Sequence, residues 1–140
     1  MTQPVKLNLL LMMILAALNL TAAEIKIIAN PSVVPSSVST EDLKSIFLIT
    51  KTSLSDGSHV EPVLTKTGSV HESFLKGYLA KSDSALQTYY RSLVFTGKGS
   101  MPKILAADSD VVSYVAKTKG AIGYVGSATA TPGVKILEIK

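Results

Sequence analysis

The chain has 140 residues, 14 basic and 10 acidic side chains, a formal net charge of +4 and no cysteine. That length suits one domain with one hydrophobic core. The missing cysteines exclude disulfides, thiolate metal sites, a cysteine nucleophile and a lipid-modified N-terminal cysteine, and the mild, scattered positive charge lacks the Lys/Arg cluster of a nucleic-acid partner.

Residues 1–23 read as a signal peptide. Lys6 supplies a positive start, Leu7 to Leu20 is an apolar run, and Thr21-Ala22-Ala23 puts small residues before a cleavage point at Glu24. The run is shorter than the ~20 residues that span a bilayer, so no membrane span is expected after cleavage. Residues 24–140 then form a single exported domain, for which a bacterial periplasm is the simplest home.

Glu24 to Ala29 is a β-branched run that predicts a first strand, ended by Asn30-Pro31-Ser32. Ser39 or Thr40 can cap a helix with Leu43, Ile46 and Phe47 on one face and Glu41 and Asp42 in its first turn. Ser53 to Ser58 is a turn, and His59 to Thr65 is a second strand. Thr67-Gly68 turns into a helix over Ser69 to Ala80, with Phe74, Leu75, Tyr78 and Leu79 at helical spacing. Ser82 caps a third helix with Leu86, Tyr89, Tyr90, Leu93 and Val94 as its apolar stripe. Gly97 to Pro102 stops it. Asp108 or Ser109 caps a fourth helix with Val111, Val112 and Val115 inward and Gly120 just past its end. Ala121 to Gly126 and Val134 to Ile139 are the last strands. Strands alternating with helices predict an α/β fold with a mixed central sheet and flanking helices.

The strand–turn–helix at Thr65 to His71 is the main candidate site. Thr65, Thr67 and Ser69 carry hydroxyls, and the amides after Gly68 lie at the positive end of a helix dipole, a seat for an oxyanion. A plain cap is the competing reading: Ser69 and Glu72 have capping-box spacing, and the Glu72 charge competes for the same donors. Ligands of α/β sheets gather outside the carboxyl ends of strands. Asn30 and Ser32 also follow a strand and are expected on the same rim. His71 and His59 lack paired metal-ligand spacing and an ordered nucleophile–base set, so both read as surface or cap residues, with no metal and no cofactor expected. Gly97-Lys98-Gly99-Ser100 looks a little like a phosphate loop but ends a helix instead of opening one, which favours a connector. No catalytic constellation is visible, so no enzyme is expected.

Several stretches in order resemble the periplasmic phosphate-binding proteins of ABC transporters, and especially their short single-domain relatives. They are Ser39 to Phe47, Asp56-Gly57 with Val60 to Val63, Gly68-Ser69 with Phe74 and Tyr78-Leu79, Phe95-Thr96-Gly97, and above all Gly120-Ala121-Ile122-Gly123-Tyr124-Val125. The resemblance implies a fold similar to one lobe of a type II periplasmic binding protein. It also implies phosphate or a similar oxyanion held by Thr65, Thr67, Gly68, Ser69 and His71, flanked by Asn30 and Ser32, and an ABC transporter or another envelope protein as partner. The pattern departs from the family where Thr65 replaces an arginine, Val70-His71 replaces Gly-Thr and Ile49 replaces a glycine. The altered turn, with Thr65 and Val70, suits the alternative of a ligand-free lobe acting as an adaptor in an envelope or signalling complex.

Overall fold

Strand β1 (Ile25–Ala29) ends in Ile27, Ile28 and Ala29, all buried, so its side chains serve both faces of the sheet. It lies in the middle of a six-stranded sheet of order β2-β6-β1-β5-β3-β4. Its neighbours β5 (Ala121–Gly126) and β6 (Lys135–Ile139) both run antiparallel to it. Strand β3 (Glu61–Thr65) is parallel to β5 and to β4 (Lys103–Leu105), and β2 (Ser37–Val38) is parallel to β6. The sheet is thus mixed, as expected. The computed structural model describes residues 24–140, and the signal peptide expected at residues 1–23 lies outside the described residues.

Alternation along the strands sorts two cores. Ile27, Leu64, Ile122 and Tyr124 face one side, where they meet helices α1 (Thr40–Phe47), α2 (Ser69–Phe74) and α3 (Asp83–Phe95). Ile28, Val63, Ala121 and Val125 face the other, where Val111, Val112 and Val115 of α4 (Asp108–Lys117) cover them. Helix α2 continues as a π turn, Leu75–Leu79, and stops where Ala80 takes a left-handed conformation. Ser39 caps α1 and Ser82 caps α3 through their side chains, each accepting an amide three residues on. Tyr89 and Tyr90 donate their hydroxyls to the last carbonyls of α1, at Leu48 and Phe47, and so fasten α3 to it. Phe47, Leu86 and Tyr90 are fully buried there, whereas Val94, expected in the same stripe, is exposed. Its position falls one step beyond the buried face, on the solvent side of α3.

Gly120 fixes the start of β5. It has φ of +80°, and a Cβ on it would stand 2.5 Å from the His59 carbonyl oxygen, so neither the conformation nor the space admits a side chain. Gly77, by contrast, is helical, exposed and open around its Cα. Gly120→Ala is therefore expected to lower unfolding stability by about 2–4 kcal/mol. Gly77→Ala should raise it by about 0.5–1 kcal/mol through helix propensity. Urea denaturation with an unchanged slope checks both signs.

Candidate functional site

The carboxyl ends of β3, β4 and β5 form one rim of the sheet, and α2 starts there. After Thr65 the chain leaves the sheet: the Lys66 amide still bonds the Leu105 carbonyl of β4, and the next residues turn outward. Gly68 makes the turn with φ of +117°. Nothing lies within 4 Å of where its Cβ would be, so glycine is required here for its dihedrals and not for room. No side chain caps α2. The Glu72 amide bonds the Gly68 carbonyl at 3.0 Å, and among the described residues no acceptor meets the amides of Ser69, Val70 and His71. The capping box read from Ser69 and Glu72 is not formed, because the glycine is the cap residue and Ser69 is already the first residue of the helix. Lys66, Thr67, Gly68 and Ser69 are exposed.

Thr65 and His71 point the other way. Both are buried, with 3% and 2% of their surface exposed. The Thr65 amide donates to the Tyr124 hydroxyl at 3.2 Å, and the Thr65 hydroxyl lies 3.4 Å from it. His71 Nδ1 is hydrogen-bonded to the same phenol, and its Nε2 meets Asp83 Oδ1 at 2.8 Å. The carboxylate accepts only, so Nε2 carries the proton, Nδ1 accepts, and the phenol donates to it while accepting from Thr65. A directed chain runs from the end of β3 through β5 and α2 to the first residue of α3. The expectation that His71 is a surface or cap residue is overturned by this burial. Its partner carboxylate comes from twelve residues downstream, which spacing alone does not reveal.

The Tyr124 ring stacks on Phe74, with centroids 3.9 Å apart and planes 9° apart, and Phe47 closes against both. Burial pushes its hydroxyl pKa up to about 12 from the usual 10.0, against the lowering by its Thr65 bonds. The charges of Asp83 and Asp108 add to the rise. The phenol is therefore a neutral linker at pH values below about 10.

The rest of the rim belongs to α4 and the strand ends. Ala107 occupies the cap position of α4 expected for Asp108 or Ser109 and offers no side-chain acceptor. Asp108 reaches across instead, its Oδ2 accepting the Gly126 amide at 2.8 Å and the Thr129 hydroxyl at 3.0 Å. Val70 packs beside the same glycine. Lys26 of β1 donates to the Thr129 carbonyl at 2.6 Å.

Asn30 and Ser32 are not on this rim. β1 runs antiparallel to β5, so its end lies at the opposite edge of the sheet. There the Asn30 side chain donates to the Val115 carbonyl and accepts the Ser32 amide, and the Ser32 hydroxyl accepts the Gly120 amide. They tie the start of β5 to the end of α4. Of the residues read from the sequence, the structure brings Thr65, Thr67, Gly68, Ser69 and His71 into one turn and separates Asn30 and Ser32 from it. Tyr124 and Asp83 were missed. Tyr124 stood inside the Gly-Ala-Ile-Gly-Tyr-Val stretch, and its hydroxyl on an otherwise apolar strand was the signal.

No family model matches the sequence, and no curated protein is found similar to it. Solved structures are similar in fold over 84% of the chain. They include an ABC-type phosphate transport receptor from Vibrio cholerae (13% identical, TM-score 0.56) and PstS from Borrelia burgdorferi (13%, 0.65). A candidate phosphate ABC transporter substrate-binding protein from Clostridium perfringens, with bound phosphate, is 15% identical with a TM-score of 0.64. The chain spans 46%, 47% and 45% of those chains, a little under half of each. At such identities the likeness is one of fold, and it agrees with the resemblance carried by the sequence motifs.

Tyr124→Phe keeps the ring stack and strands the Thr65 amide and His71 Nδ1, a loss of about 1–3 kcal/mol in stability. The unfolded chain releases the Tyr124 proton near pH 10 and the folded chain only near 12, so this group's contribution is whole below 10 and fades as pH rises to 12. The variant should show a shallower alkaline decline than the parent, by up to one proton's worth, about 1.4 kcal/mol per pH unit. Urea midpoints between pH 9 and 12 measure it (roughly the phenol titration range).

Proposed function

We propose that the protein binds phosphate or a similar small oxyanion at the opening of α2, as part of ABC-type uptake or sensing in the bacterial envelope. The observation that carries this reading is the opening of α2, exposed through Ser69, whose three leading amides meet no acceptor among the described residues while the turn is held from beneath by Tyr124. A tetrahedral oxyanion needs several convergent donors, and these amides supply them at the positive end of the helix. The Ser69 and Thr67 hydroxyls stand beside them, and Lys66 adds a nearby positive charge. Thr65 and His71 act from below, through their bonds to Tyr124, and not as side-chain ligands. Export by the segment at residues 1–23 is part of the same proposal, as is a transporter or envelope protein that covers the site. No catalytic activity is proposed.

The seat faces water on its open side. Water weakens each anion contact, and Glu72, Asp83 and Asp108 bring negative charge to the neighbourhood. Affinity should therefore be modest and fall with salt. A second reading, the adaptor, is favoured by Phe95. This large side chain ends α3 with 93% of its surface exposed, next to the exposed Val94. Such a pair suits contact with another protein.

Calorimetric titration separates the two. Phosphate is expected to bind with a dissociation constant of about 0.1–5 mM at low salt, weakening several-fold at 0.5 M salt. Ser69→Ala should weaken it about fivefold, the loss of roughly 1 kcal/mol from one hydrogen bond at a solvated site. Absence of heat up to about 10 mM phosphate, where millimolar binding still registers, would leave the adaptor.

A further inference from the structure

The edge of the sheet opposite the α2 opening holds a cleft of about 410 Å³. It lies between the end of α1, the start of β3, the loop before β4, and α4. We propose that this cleft is a second binding site, for a small amphipathic carboxylate with an aromatic or aliphatic body. The volume falls within the range of small-molecule sites and suits a ligand of about a dozen heavy atoms.

Three observations support it. The first is backbone strain. Ile49 follows the last turn of α1 with φ of +60°, where glycine is the default and a β-branched residue is an outlier. Its side chain lines the cleft, so the strained position presents an apolar wall that glycine would not provide. The second is the loop Gly97 to Pro102, which the α2 site does not use. Gly99 packs against Ile49 with only 3.4 Å between the Ile49 methyl and the place of a Cβ, and this seats Met101 over the cleft. Met101 is 43% exposed although large and apolar, and a flexible thioether adapts to varied shapes.

The third is charge. Lys103 stands at the mouth with its ammonium 5.6 Å from the Tyr114 ring centroid, and among the described residues it pairs with no carboxylate. Lys51 pairs with Asp42 at 2.9 Å and Glu61 accepts the Tyr114 hydroxyl at 3.4 Å, while the His59 side chain lines the cleft with no polar partner among the described residues. One free cation therefore borders an apolar floor of Ile46, Val60 and Ile104. A carboxylate would meet Lys103 while its body displaced water from that floor.

The test uses 3-phenylpropionate, with 3-phenylpropanol as neutral control, titrated into the ¹⁵N-labelled protein. The acid should shift the amides of Ile49, Val60, Glu61 and Met101 saturably, with a midpoint of about 1–5 mM. Lys103→Glu should weaken it at least about fivefold, Lys103→Arg should retain it, and both should keep the parental unfolding midpoint. Phosphate should not displace it. Absence of saturation at about 10 mM, equal binding of the alcohol, or unchanged binding to Lys103→Glu would overturn the proposal. A failure of phosphate binding at Ser69 leaves this outcome untouched.

Discussion

One buried hydroxyl holds the α2 end of the sheet together. The backbone ladder between β3 and β5 covers only Glu61 and Pro62, and beyond it the Thr65 amide has no strand partner on that side. The Tyr124 phenol fills that place. It takes the Thr65 N–H, passes its own proton toward His71, and His71 passes on to Asp83. Three elements meet at this oxygen, and His71 links a fourth, α3, through Asp83. Burying a hydroxyl among Phe47, Phe74 and His71 is unfavourable unless every bond is made. Here each is made, and among the described residues no buried side-chain nitrogen or oxygen lacks a partner.

That arrangement determines what the α2 opening offers. Helix starts are normally secured by a side chain that consumes the first free amides. α2 is secured from below, by His71 in its first turn and by Phe74 stacked under Tyr124. Gly68 supplies the turn without a side chain of its own. Among the described residues the leading amides are thus left without an acceptor, and whatever bound there would meet donors in fixed positions. The electrostatics limit the strength of this seat. The amides and Lys66 attract an anion, whereas Glu72, Asp83 and the Asp108 carboxylate oppose it. The matched solved structures are longer, and this chain spans a little under half of each.

Much of the architecture was legible because it rests on local rules. The β-branched runs at β1 and β5 and the apolar stripes of α1 and α4 bury the residues their periodicity marks, whereas in β6 only Leu137 is buried and Ile136 is exposed. Gly68, Gly97 and Gly120 all take positive φ at the turns predicted for them. Elements too short to show a period were missed: β2 has two residues and β4 three, directly after Pro102. Topology was the larger gap. Asn30 follows a strand just as Thr67 does, yet β1 runs against β3 and β5, and direction within a sheet is set by long-range pairing that no local pattern encodes. The same holds for His71. Its spacing suggested a helix start, and its fate was decided by Tyr124 and Asp83, brought to it by the fold. Ile49 shows the reverse case, a residue whose local preference loses to its surroundings.

The direct test of this account is the amide spectrum of the α2 opening. On titrating phosphate into the ¹⁵N-labelled protein at low salt, the Ser69, Val70 and His71 amides should shift together along one saturable curve, and the Asn30 and Gly120 amides should stay still. The same three amides remaining unmoved at about 10 mM phosphate, or moving only alongside the whole spectrum, would contradict it.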